Sequence, residues 1–91
     1  MTKAEAKIQI QKIKETIADK KYRYGIFNEG LKRQIDHEKK SKGNQKDPST
    51  KKRIQTHIEY LKKQFASTKL SQAREIDSLK QEIQRIKNSA S

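Results

Sequence analysis

The sequence has no cysteine, no tryptophan and no valine, and only one proline among its 91 residues. Without cysteine there is no disulfide staple, no thiolate nucleophile and no thiolate metal site. No apolar run approaches the roughly 18 residues that a membrane-spanning helix needs, so insertion into a bilayer is not expected. Near the N-terminus, Ile8 and Ile10 are interrupted by Gln and Lys, which leaves no apolar core for a secretory signal. The expected location is cytoplasmic, whether the encoding genome is cellular, viral or a plasmid.

Groupings that could support catalysis are also missing. Asp36, His37 and Glu38 are consecutive, so on a helix they fan out about 100° apart and cannot converge on one ligand. His57 has Arg53 and Leu61 four residues to either side, and neither is a metal ligand. The serines lack an arranged base, and "GNQKDPS" lacks the spacing of a phosphate-binding loop. We therefore expect no enzyme, no metal and no cofactor.

What is abundant is positive charge. Lys and Arg number 23 against 11 Asp and Glu, for a formal net charge of +12, while only 30% of residues are hydrophobic. So thin an apolar complement cannot fill a globular core, but it can fill the seam between two long helices. Such a charge points to anionic partners: DNA or RNA first, then an acidic protein.

Two helix starts are visible. "TKAE" at Thr2–Glu5 is a capping box, and "DPST" at Asp47–Thr50 places Asp at a cap and Pro at the first helical position. Gly43 and Asn44 between them suit a turn. This predicts an all-α antiparallel two-helix hairpin in a single domain over 1–91. Helix 1 is expected near 3–41, the turn at 42–47 and helix 2 near 48–88.

The spacing of seam positions supports the hairpin. Backwards along helix 1 they are Ile35, Leu31, Asn28, Tyr24, Lys20, Ile17, Ile13, Ile10 and Ala6. Forwards along helix 2 they are Ile54, Ile58, Leu61, Phe65, Lys69, Gln72, Ile76, Leu79 and Ile83. Both ladders step 4, 3, 4, 4, 3, 4, 3, 4, the mirror relation an antiparallel pair requires. The repeated 4 is a stutter that relaxes the supercoil.

This register sets Ile35 opposite Ile54, Tyr24 opposite Phe65 and Lys20 opposite Lys69, with Phe27 against Leu61 and Tyr60 at the same level. It makes Tyr24 and Phe27 core and leaves Tyr22 as the free ring. It also implies that replacing Lys20 and Lys69 with Leu raises stability. A strand over "YRYGIF", suggested by the alternation of Tyr22, Tyr24 and Ile26, would have no partner. Gly25 and Gly30 fall outside the seam, where they either weaken the helix or admit another backbone. Ile8, Ile26 and Ile86 lie off the ladder. With isoleucine filling most seam positions, they point to dimerisation into a four-helix bundle.

The cations define candidate binding residues. Residues 32–53 carry nine cations against Asp36, Glu38 and Asp47, a net +6. Within that run Lys39, Lys40, Lys42, Lys46, Lys51, Lys52 and Arg53 are expected to contact nucleic-acid phosphates. A second patch is expected from Lys20, Lys21, Arg23, Lys62, Lys63 and Lys69, with Tyr22 available for stacking. Lysine outnumbers arginine, which favours phosphate attraction over base recognition. The alternative is a structural or adaptor coiled coil that docks on an acidic or helical protein in a larger viral, plasmid or secretion assembly.

Overall fold

The computed structural model describes residues 1–90. Two α-helices account for nearly all of them: α1, Lys3–Asn44, and α2, Pro48–Ser89. No strand occurs among the described residues, and Tyr22–Phe27 is helical. No helix is long and apolar enough to cross a membrane.

Each helix start is fixed by the residues that signal it. The Thr2 hydroxyl accepts the Glu5 backbone N–H at 3.1 Å and donates to the Glu5 carboxylate at 3.2 Å. At α2 the Asp47 carboxylate accepts the Ser49 N–H at 3.3 Å and the Thr50 hydroxyl at 2.8 Å. These bonds satisfy donors that a helix start leaves unpaired. They also hold the Asp47 carboxyl below the usual carboxylate range, the Thr50 hydroxyl first and the Ser49 N–H second. Asp47→Ala is therefore expected to lower the thermal midpoint of the Gly25–Leu70 helix pair, measured by circular dichroism. The loss should be largest at neutral pH and shrink as acid protonates Asp47.

The turn is shorter than expected. α1 runs on to Asn44, so only residues 45–47 connect the helices, where 42–47 was anticipated. No glycine has positive φ, and Gly43 simply extends the last helical turn. The Gln45 N–H closes onto the Lys42 carbonyl at 3.2 Å, a tight final turn that needs no left-handed residue.

Contacts divide the chain into two compact units, Met1–Tyr24 with Ser71–Ser91, and Gly25–Leu70. In each unit the two helices pack against each other. In the first, Ile17, Ile76 and Ile83 are buried, with Ile10, Ile13, Tyr24 and Leu79 packed on them. In the second the buried set is Ile35, Ile58 and Leu61, with Leu31, Ile54 and Phe65. Ile58, 2% exposed, is the most enclosed side chain.

All nine expected seam positions of α1 are buried or half-buried. In α2 the one departure is Lys69, which is exposed while Thr68 takes its place. Ile86, expected off the ladder, is half-buried. With Thr68 and Ile86 included, the α2 ladder runs 54, 58, 61, 65, 68, 72, 76, 79, 83, 86, 90, and its stutter moves to Thr68–Gln72–Ile76. It then mirrors α1 with every pairing displaced by one heptad. Leu31 comes level with Phe65 and Ile35 with Leu61 in one unit. Ile17 comes level with Leu79 and Ile13 with Ile83 in the other.

Two polar contacts test this register independently. Lys20 bonds Glu75, six residues beyond its expected partner Lys69. Lys42 bonds Gln55 at 2.6 Å, eight residues beyond the expected level.

Three aromatic assignments change with the register. Tyr24 packs on the Ile17–Ile76–Ile83 cluster, while Phe65 belongs to the Ile58 cluster of the other unit. Phe27 is 56% exposed and Tyr60 57% exposed, so neither is core. Each immediately precedes a seam residue, which turns its ring to the flank of the pair.

Candidate nucleic-acid interface

The corrected seam fixes which way each charged side chain points. On a right-handed helix the residue following a seam position lies about 100° round from it, on one flank. In an antiparallel pair, the residues that follow seam positions on both helices share one side, and those that precede them share the other.

The first of these sides carries rows of lysines in each unit, interleaved with Glu29, Asp36 and Glu59 in the Gly25–Leu70 unit and with Asp77 in the other. In the Gly25–Leu70 unit, Lys32 and Lys39 follow Leu31 and Glu38, while Lys62 and Lys69 follow Leu61 and Thr68. In the other unit Lys7, Lys14 and Lys21 on α1 and Lys80 and Lys87 on α2 hold the same phase. Within a row the lysines repeat every seven residues, about 10 Å along the axis.

Across the seam some row members come near one another: Lys32 lies within two residues of the level of Lys62 in one unit, as Lys7 does of Lys87 and Lys14 of Lys80 in the other, whereas Lys39 faces Gln55. Helical pairs usually set opposite charges at such positions, where they help fix partner and orientation. Here like charges share the side, with Glu29 and Asp36 within a helical turn of Lys32 and Glu59 within a turn of Lys62.

The sequence-predicted residues distribute unevenly over this geometry. Lys39, Lys62 and Lys69 are in the rows, with Lys40, Lys52 and Lys63 exposed beside or behind them. Lys51 is exposed at the start of α2 and Lys46 lies in the turn. Lys42 is half-buried at the seam, where its ammonium donates to Gln55. It lines a shallow groove with Lys51, Lys52, Gln55, Thr56 and Glu59. Arg53 precedes Ile54 and therefore lies on the opposite flank. The Lys69 ammonium sits 5.1 Å from the Phe65 ring centre, a cation–π contact that lays its stem over the seam.

Lys20, Lys21 and Arg23 belong to one unit and Lys62, Lys63 and Lys69 to the other. Arg23 is paired with Asp19 at 3.1 Å. Lys20 and the Tyr24 hydroxyl both donate to the Glu75 carboxylate. Only Lys21 of that trio is in a lysine row, beside Tyr22, which is 70% exposed.

The Lys20–Tyr24–Glu75 cluster has a defined pH signature. The Lys20 bond first and the Tyr24 bond second hold the Glu75 carboxyl below its ordinary value. The same bonds to Glu75 raise Lys20 and Tyr24. A lowered carboxyl contributes stability above the ordinary glutamate range and loses it as pH falls through the lowered value. The raised Lys20 and Tyr24 contribute below their ordinary values and lose it as alkali deprotonates them. Glu75→Gln should therefore flatten the acid limb of a melting-temperature profile taken from pH 7 to pH 3. The expectation that Leu at both 20 and 69 raises stability falls away, because Lys20 is paired and Lys69 is exposed.

Sequence inspection missed the row members Lys7, Lys14, Lys32, Lys80 and Lys87 as candidate binding residues. The signal was present as lysines at sevenfold spacing, one residue after each second seam position. Finding it required Thr68 rather than Lys69 in the ladder. No known protein family, curated protein or solved structure matches the chain.

Proposed function

We propose that the chain is a non-enzymatic nucleic-acid-binding protein that contacts phosphates with little sequence specificity. The observation that supports this reading is the recurrence of lysines at sevenfold spacing along one side of each unit, in a chain of net charge +12. A polyanion with evenly spaced charge suits a row of lysines about 10 Å apart better than a single small anion does. With arginine sparse and Tyr22 the one strongly exposed ring beside a row, base recognition contributes little.

The working form in this proposal is a homodimer, two chains building a four-helix bundle with their lysine faces outward, acting in the cytoplasm. The adaptor alternative draws on Ile26 and Phe27, both exposed, beside Gly25 and Gly30, which have open space where a side chain would be. On that reading Gly30→Leu abolishes partner capture and leaves nucleic-acid binding intact.

Fluorescence anisotropy with labelled duplex DNA, single-stranded DNA and RNA tests the proposal. Sub-micromolar binding that weakens steeply with salt supports it, and the ranking of probes names the ligand class. Binding to none of the three would leave the adaptor reading in its place.

A further inference from the structure

We infer that the flank of the Gly25–Leu70 unit opposite its lysine face is the surface on which a second copy of this chain docks. The inference deepens the dimer reading above by assigning its interface. The residues preceding seam positions on this flank include Phe27, Gln34, His57, Tyr60 and Gln64. Arg53 is the one Lys, Arg, Asp or Glu side chain among residues preceding the unit's seam positions from Asn28 to Lys42 and Ile54 to Thr68. A chain with 37% charged residues leaves few such stretches by chance, and this one coincides with the misplaced aromatics.

The rings provide the contact surface. Phe27 and Tyr60 are each more than half exposed. Tyr60 stacks on His57, with centroids 6.4 Å apart and planes 17° from parallel, so its ring is already held in place. Exposed, pre-positioned aromatics are the usual anchors of protein interfaces. Gly30, on the same flank, has nothing within 4 Å of where a Cβ would stand, which lets a neighbouring helix approach closely.

Charge and area identify the occupant as a second copy. An acidic partner would be drawn to the lysine face, and a basic one gains nothing here. Two copies at +12 each associate with least repulsion where charge is sparse, and a two-fold axis through this flank joins like surface to like while keeping the lysine rows apart. The chain exposes 7105 Å², against about 5,500 Å² for a compact monomer of its mass. The excess is more than the roughly 800 Å² per partner that a standard interface buries.

Because the protein has no cysteine, single cysteines report directly on the contact. Gln34→Cys and Gln64→Cys are expected to give covalent dimers on mild oxidation of the full chain, whereas Ala66→Cys on the lysine side should not. In sedimentation equilibrium without nucleic acid, the native chain should dimerise. Tyr60→Lys with Gln64→Lys should weaken that dimer by at least about tenfold while helicity by circular dichroism is retained. A native chain that stays monomeric, or cross-links equally well through Ala66→Cys, overturns the proposal. The first result would assign the flank to an uncharged segment of another protein. With no nucleic acid in the assay, its failure is separate from that of phosphate binding, which the anisotropy titration judges.

Discussion

Lys32→Glu combined with Lys39→Glu is expected to weaken duplex binding by about a hundredfold at 0.1 M salt and lower the salt slope by about 1.8. The slope change is the loss of two phosphate contacts, each contributing about 0.9. The affinity change combines those contacts with repulsion from the new carboxylates. The same variant should stay folded and melt close to the native protein when no nucleic acid is present, because a carboxylate at position 32 gains Lys62 across the seam but meets Glu29 and Asp36 on its own helix. Loss of affinity with the fold retained separates a binding role from a solvating one, since lysines that served only solubility would leave affinity nearly unchanged. Anisotropy and thermal melts on one preparation read both.

Ile58→Ala is expected to destabilise the Gly25–Leu70 unit by about 3 kcal/mol, within the range for large-to-small core changes. Ile58 is 2% exposed and shares its cluster with Ile35 and Leu61, so deletion leaves a void between two helices that have no other layer to collapse onto. A small domain has about 5–15 kcal/mol in total, so the effect is a large fraction of its stability. Phe27→Ala removes a larger side chain, yet at concentrations dilute enough to keep the chain monomeric it should cost less than about 0.5 kcal/mol, as for surface substitutions generally. Chemical denaturation of the two variants distinguishes the seam described here from one in which Phe27 is core.

The stripe of each helix was legible in the sequence because isoleucine and leucine recur at 3- and 4-residue steps against a polar background. The capping residues were legible for the same local reason, since Thr2 and Asp47 act within a turn of themselves. Register was not. A heptad ladder slid by seven residues presents nearly the same steps, so the mirror relation holds almost as well in either alignment.

What separates the two alignments is a choice at one position, Thr68 or Lys69. An apolar-only criterion does not decide between a threonine and a long-stemmed lysine. The structure decides it by pairing Lys20 with Glu75 and leaving Lys69 exposed, so Lys20 keeps its seam position and no longer faces a second lysine.

That single displacement accounts for most of the other differences. It moves Tyr24 onto the Ile17 cluster and brings Ile86 partly into the seam. The charge on residues 32–53 was visible from counting, but which of its cations share a flank was not, because flank assignment inherits any error in the seam. Arg53 shows the consequence: it lies amid lysines in sequence and on the opposite side in space.

The most direct test of the lysine-face account is the salt dependence of duplex binding by the native protein, measured as log affinity against log salt concentration. With about five phosphates contacted, the slope should be near −4.5. A slope near −1, or affinity that scarcely changes with salt, would mean that the rows do not bind phosphates and would contradict the account.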